Sequence, residues 1–128
     1  MNIGQAASAS GASAKKIRYY ESIDLIPSRG RTDSGYRIYA DKDIYFLRFI
    51  RQARDVGFPI ETIRLLLALW QDHDRASADV KALALQHIRE LEGRVKELRA
   101  MRDTLVYLAE HCAGDDRPSC PILDGLAG

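Results

Sequence analysis

Residues 1–27, MNIGQAASASGASAKKIRYYESIDLIP, break at Gly11 into two short helical patterns, and their pairing decides how the rest of the chain is read. In the first, Asn2 suits an N-cap with Gln5 three residues on, and Ile3, Ala6 and Ala7 make an apolar face. In the second, Ser13 caps a helix that turns Ile17 and Tyr20 inward and leaves Lys15, Lys16 and Arg18 outside. Two short helices joined at a glycine turn predict a helix-turn-helix. The spacing alone leaves a plain helical hairpin equally open.

The period changes at residues 29–43, RGRTDSGYRIYADKD. A turn signal, DSG, stands between a run at 29–32 and Tyr36–Tyr39, which predicts a short β-hairpin. Alternation sends Tyr36 and Ile38 to one face, and Arg37 and Tyr39 to the other. Carrying Arg29, Arg31, Tyr36 and Arg37, such a ribbon reads as a wing that grips phosphates, or as a solvated hairpin whose tyrosines cover the core. Asp41 is the expected cap of a third helix over about 42–56, with Ile44, Phe46, Leu47 and Ile50 apolar. VGFP ends it, and Pro59 suits the first turn of a fourth helix running to about Trp70. Leu65, Leu66, Leu69 and Trp70 are expected to pack in the core.

Beyond this head, QDHDRASAD is a polar linker, and its His73 reads as a solvated loop residue rather than a metal ligand. From Asp79 to about His111 the pattern is one helix, roughly 50 Å long at ~1.5 Å per residue. Ala84, Ile88, Leu91, Val95, Leu98, Arg102 and Leu105 recur at alternating spacings of four and three, a coiled-coil seam imperfect at Arg102, where Met101 can substitute. Such a helix cannot hide its seam against a head of about 70 residues. The expectation is a homodimer joined by an antiparallel pair of these helices. The domains are therefore expected as 1–70 for the head, 71–78 for the linker, 79–111 for the dimerisation helix, and 112–128 for a loop and tail.

The 128 residues include 46% apolar side chains, enough for a real core in one small domain plus an extended element. A net charge of +1 conceals an asymmetry: residues 1–70 carry eleven Lys and Arg against seven Asp and Glu, whereas 71–128 carry eight against eleven. The basic half is compatible with a phosphate backbone as partner. Met1 leads into a polar segment unlike a signal peptide, and no apolar run approaches the ~20 residues of a membrane span, so a cytoplasmic location is expected. No nucleophile is paired with a histidine base and no glycine-rich phosphate loop is present, so the pattern points away from an enzyme.

The head motifs, IRYYE in the second helix and SGYRIY in the hairpin, together with the helix-turn-helix before and the long helix after them, resemble the MerR family of bacterial transcription regulators. The resemblance spans essentially the whole chain. It implies a mainly α, winged helix-turn-helix activator that holds promoter DNA as a homodimer and, on receiving its signal, untwists the DNA for RNA polymerase. It places Arg18 and Tyr20 on or beside the recognition helix, Arg31, Tyr36 and Arg37 in the wing, and Lys15 as a further phosphate contact. Asp24 departs from the glycine that many members carry after the second helix.

Both cysteines lie in HCAGDDRPSC, residues 111–120. This loop resembles that of the copper-sensing, CueR-like branch, which implies Cys112 and Cys120 as ligands of a monovalent ion, Cu(I), Au(I) or Ag(I). Soft thiolates favour such ions, and two sulfurs are too few for the tetrahedron zinc prefers. The resemblance also implies that Ser77 stands where sensors of divalent ions carry a further cysteine; read from the residues, Ser77 is an N-cap. Ala113 and Pro118 look like the gold-responsive type. His111 reads as a helix-end residue interacting with the dipole. Ile122 and Leu123 are expected to transmit loop closure to the junction between head and helix. Two other readings stay open: a redox sensor closing a Cys112–Cys120 disulfide, and a metal-storage or chaperone protein.

Overall fold

The computed structural model describes residues 1–27 and 38–128. The described residues form α1 (Ile3–Ser10), α2 (Ala14–Ser22), α3 (Asp41–Asp55), α4 (Ile60–Gln71), α5 (Ser77–Glu110) and α6 (Pro121–Ala127), with no strand among them. The predicted hairpin lies outside the described residues except at Ile38 and Tyr39, which belong to no regular element. The chain divides into two compact units, Met1–Val80 and Lys81–Gly128.

Local signals explain the start of the first unit. Asn2 and Gln5 form the anticipated capping box: the Gln5 N–H donates to Asn2 Oδ1 at 2.8 Å, and the Asn2 N–H donates to Gln5 Oε1 at 2.9 Å. Gly11 ends α1 in the left-handed region at φ 79°, a conformation glycine adopts without steric cost. The Lys16 N–H then donates to Ser13 Oγ at 3.2 Å, which fixes the start of α2.

The other helix ends show one motif twice. After α2, the Leu25 N–H reaches the Tyr20 carbonyl at 2.9 Å and the Asp24 N–H reaches that of Glu21 at 3.1 Å. After α3, Phe58 reaches Ala53 at 3.1 Å and Gly57 reaches Arg54 at 2.9 Å. Both are Schellman motifs, with Leu25 packed beside Tyr20 in the core in the first. The left-handed position is Gly57 at φ 87° in one and Asp24 at φ 57° in the other. The departure read at Asp24 thus falls where the backbone favours glycine.

Packing of α1 on α2 and α3, and of α3 on α4, encloses Ala6, Ile17, Leu47, Ile50 and Ile63, each fully buried. Each of the large aliphatic side chains contributes on the order of 1.5–3 kcal/mol of transfer free energy. Tyr39 joins them at 2% exposure; its hydroxyl donates to Glu21 and its backbone exchanges hydrogen bonds with Met1. The reading of Tyr39 as a core-covering tyrosine therefore describes it, while Ile38 is exposed.

Three expectations are corrected. Asp41 is the first residue of α3, not its cap: Ala40 holds the cap position, and its N–H donates to the Asp43 carboxylate at 2.8 Å. An acidic side chain three residues into the helix closes the N-terminus where the cap has no polar group. Ser77 likewise opens α5 from inside, with the Asp79 N–H donating to the carbonyl of Ala76. Leu65 is 56% exposed because the buried stripe of α4 runs through Ile63, Leu66 and Leu67 instead. Trp70, also partly exposed, stacks on Phe49 at 4.8 Å between ring centroids.

α5 is 34 residues long, all but its first turn belonging to the second unit, and its apolar seam lies open: Ile88, Val95, Leu98 and Leu105 are each between 46% and 63% exposed. Ile88, Leu91, Val95 and Ala100 line a groove edged by Glu92, Lys96, Arg99 and Asp103. Arg102 stays in solvent, paired to its neighbour Asp103 at 2.9 Å. Residues 121–127, expected as tail, form a short helix; Pro121 at its first turn and the Asp124 N–H bonded to the Cys120 carbonyl at 3.1 Å start it. Gly125 brings this helix close to α5, because a Cβ there would lie 2.5 Å from Leu108 Cδ2.

Candidate nucleic-acid interface and thiol loop

Each unit carries one candidate site. On α2 the helical period separates function from packing. Ile17, Tyr20 and Glu21 are buried, whereas Lys15, Lys16, Arg18 and Tyr19 are exposed. Among the described residues the side chains of Lys15 and Arg18 have no internal hydrogen bond or ion pair, so their charges are free to meet a partner. Tyr20, carried over by resemblance as a DNA contact, is a core residue at 6% exposure; burial pushes its phenol above the ordinary range, partly offset by the cation of Arg54. The ring that α2 presents to solvent is Tyr19, 52% exposed. Its signal was present in the sequence, since Tyr19 sits beside Arg18 on the face opposite Ile17. Arg31, Tyr36 and Arg37 lie outside the described residues.

The basic residues of α3 are not equivalent. Arg48 donates from Nε and Nη2 to the Ala9 carbonyl at 3.0 and 2.9 Å, closing the end of α1. Arg54 donates to the Phe58 carbonyl at 3.0 Å. Arg64 of α4 donates to the carbonyls of Ile23 and Asp24 at 2.9 and 3.2 Å, closing the end of α2. These three arginines are occupied with helix ends.

In the second unit α5 stops at Glu110, and the Cys112 N–H donates to the Ala109 carbonyl at 3.2 Å. Cys120 stands at the N-cap of α6, so the two cysteines bound the loop between the helices. Both are free thiols and half-buried. Within the loop Gly114 adopts φ 66°, and Asp115 accepts from the Arg117 N–H at 3.0 Å and from Arg117 Nε at 2.8 Å. Those bonds hold the Asp115 carboxyl below its usual range. Ala113 and Pro118 are exposed and offer no donor atom. His111 is engaged with the helix end, its Nδ1 lying 2.7 Å from the Tyr107 carbonyl and its ring 4.2 Å from that of Tyr107.

Among the described residues no group of three or more His, Cys, Asp and Glu comes together as a metal cage. The thiols of Cys112 and Cys120 are the soft donors of the loop, and a two-sulfur set suits a soft d10 ion better than it suits tetrahedral zinc. No helix among the described residues is long and apolar enough to cross a membrane.

A helix-turn-helix with a cationic exposed face, followed by a long helix with an open seam, defines a DNA-binding regulator of the helix-turn-helix class. The chain belongs to the MerR family: it matches the MerR HTH family regulatory protein over residues 1–69 and the MerR DNA-binding region over residues 46–108. It is 57% identical to heavy metal-dependent transcription regulator 2 of Rhizobium meliloti, over 99% of this chain and 86% of that one. It is 44% identical to the HTH-type transcriptional regulator CueR of Salmonella typhimurium, over 100% of this chain and 93% of that one. Among solved structures, the transcription regulator PbrR691 of Ralstonia metallidurans in complex with lead(II) superposes with a TM-score of 0.86 at 31% identity, over 98% of both chains. Family membership makes the chain a DNA-binding transcription regulator and not an enzyme.

Proposed function

We propose that the chain is a metal-responsive transcriptional activator that binds promoter DNA as a homodimer and takes a monovalent soft ion, Cu(I), Au(I) or Ag(I), as its signal through Cys112 and Cys120. The observation that carries this reading is the pair of free, half-buried thiols bounding one loop, with no third ligand gathered beside them among the described residues. Similarity to CueR and to a heavy metal-dependent regulator supports a metal signal. When bound, the ion would supply a bridge between two sulfurs, tying the end of α5 to the start of α6.

The residues around the thiols suit that role. Because Cys120 is the N-cap of α6, the position of its sulfur and the position of this helix are linked. Leu123 and Leu126 of α6 are 67% and 66% exposed and Ile122 is half-buried, so the helix has apolar side chains available for a new contact. Ser77 has no thiol to add, which favours a two-sulfur set over the larger sets of divalent ions. The preference for Au(I) over Cu(I) rests on the resemblance of Ala113 and Pro118 to the gold-responsive type; the two residues change the stiffness of the loop and leave its donor atoms the same. The homodimer rests on the open seam of α5, and RNA polymerase is the functional partner at the promoter.

The relative solved with lead(II) makes a divalent signal the competing outcome. An anaerobic competition titration of the reduced protein with Cu(I), Au(I) and Zn(II) separates the two. One monovalent ion per subunit, resistant to Zn(II) and lost in both Cys112→Ser and Cys120→Ser, is the expected result. Equal competition by Zn(II) would transfer the thiols to divalent or redox chemistry.

A further inference from the structure

We propose that the pocket between the start of α2 and the C-terminal half of α3 holds one backbone phosphate of bound DNA, with Arg51 as its principal ligand. The inference deepens the DNA-binding reading and rests on it. The pocket, about 230 Å³, is lined by Gly11, Ser13, Lys16, Tyr20, Arg51, Arg54, Asp55 and Ala12. Its charged lining is three cations against the single carboxylate of Asp55, an excess that suits an anion.

Arg51 differs from the other arginines of α3. Arg48 and Arg54 are spent on the carbonyls of Ala9 and Phe58, whereas the guanidinium of Arg51 has no acceptor among the described residues. Its fork of donors is nevertheless placed: a Cβ on Gly11 would lie 2.4 Å from Arg51 Nη1, so the side chain lies closely against the turn of the helix-turn-helix. A guanidinium held in place with unmet donors is shaped for the paired oxygens of a phosphate. The Tyr20 hydroxyl at the same pocket also lacks an acceptor among the described residues.

Position supports the assignment. The pocket opens at the first turn of α2, and in a helix-turn-helix the N-terminal residues of the recognition helix approach the base edges. The strand bordering that groove therefore passes the mouth of the pocket. Lys16, whose side chain makes no hydrogen bond or ion pair among the described residues, adds a second charge there.

The test is the salt dependence of binding to a mixed-sequence duplex, read by fluorescence anisotropy for the full chain and for Arg51→Gln, Lys16→Gln and Arg51→Lys. Each lost phosphate contact should lower the slope of log affinity against log salt by about 0.9, which is roughly a fivefold weakening per subunit at about 0.15 M salt. Arg51→Gln is expected to show that loss at an unchanged melting temperature, Lys16→Gln a part of it, and Arg51→Lys to recover slope. A wild-type slope in both Gln variants would overturn the proposal, and so would a lowered melting temperature in Arg51→Gln with the slope intact. A wild-type chain with no affinity for duplex would instead defeat the DNA-binding reading itself.

Discussion

Replacing Asp24 with glycine should stabilise the protein, against the usual direction of substitutions to glycine. Asp24 is the one non-glycine residue with positive φ among the described residues, at 57°. A left-handed L-residue costs about 1–2 kcal/mol, less for aspartate with its short polar side chain, while glycine adds unfolded-state entropy worth about 0.5–1 kcal/mol. The bonds that hold the turn are made by the backbone: the Asp24 N–H to Glu21, the Leu25 N–H to Tyr20, and Arg64 to the carbonyls of Ile23 and Asp24. All survive in Asp24→Gly. The expected net gain is therefore about 0.5 kcal/mol, which corresponds to a rise in melting temperature of about 1–3 °C. Gly57→Ala, at the equivalent position after α3, should lose about 1 kcal/mol or more. Thermal and urea unfolding of the reduced protein at a fixed chain concentration measures both. A loss in Asp24→Gly matching the ~1 kcal/mol penalty of glycine inside a helix would refute the left-handed assignment.

The α5 seam gives a second expectation: Leu98→Glu, at a side chain 63% exposed in the single chain, should convert a dimer seen by sedimentation into a monomer. A monomeric wild type at micromolar concentration, or a dimeric variant, would remove the coiled-coil pairing. Gly125→Ala would place a methyl group 2.5 Å from Leu108 Cδ2, so the end of that side chain must shift and its packing on α6 change. It should lower amide-exchange protection in α6 and, because Cys120 caps this helix, weaken ion binding with it; unchanged protection would argue against the contact. Tyr20 sets an alkaline limit. Burial raises its phenol from the ordinary value of 10.0, so the folded chain holds that proton more tightly than the unfolded one. Its contribution is complete below pH 10.0 and is lost as pH rises through the folded-state value. Tyr20→Phe should flatten the alkaline fall in stability, and an unchanged fall would place the loss elsewhere.

The parts of the fold legible in the sequence are those fixed by neighbours within a few residues. The Asn2 and Gln5 box, the Ser13 cap and the glycine turn at Gly11 involve residues no more than three or four apart, and each occurs as read. Helical period likewise sorted Ile17 from Lys15 and Arg18. What escaped depends on distant partners. Nothing local distinguishes Tyr39, buried against Glu21 and Met1, from the exposed Ile38 beside it. The free guanidinium of Arg51 acquires meaning only when Gly11, forty residues earlier, is brought against it. Asp41 looked like a cap because its chemistry is right, but Asp43 performs the function from within the helix. The short helix α6 was hidden by its length and by Gly125, a poor helix former that is needed where α6 meets Leu108.

The proposal that Cys112 and Cys120 are ligands rests on sulfur chemistry, which is local to the side chain. X-ray absorption at the copper edge of the reduced, Cu(I)-loaded protein tests their assignment most directly. Two sulfur scatterers from Cys112 and Cys120 are expected, with no nitrogen or oxygen shell, and the signal should be lost in either serine variant. A shell of three or four ligands, or a nitrogen scatterer from His111, would contradict it.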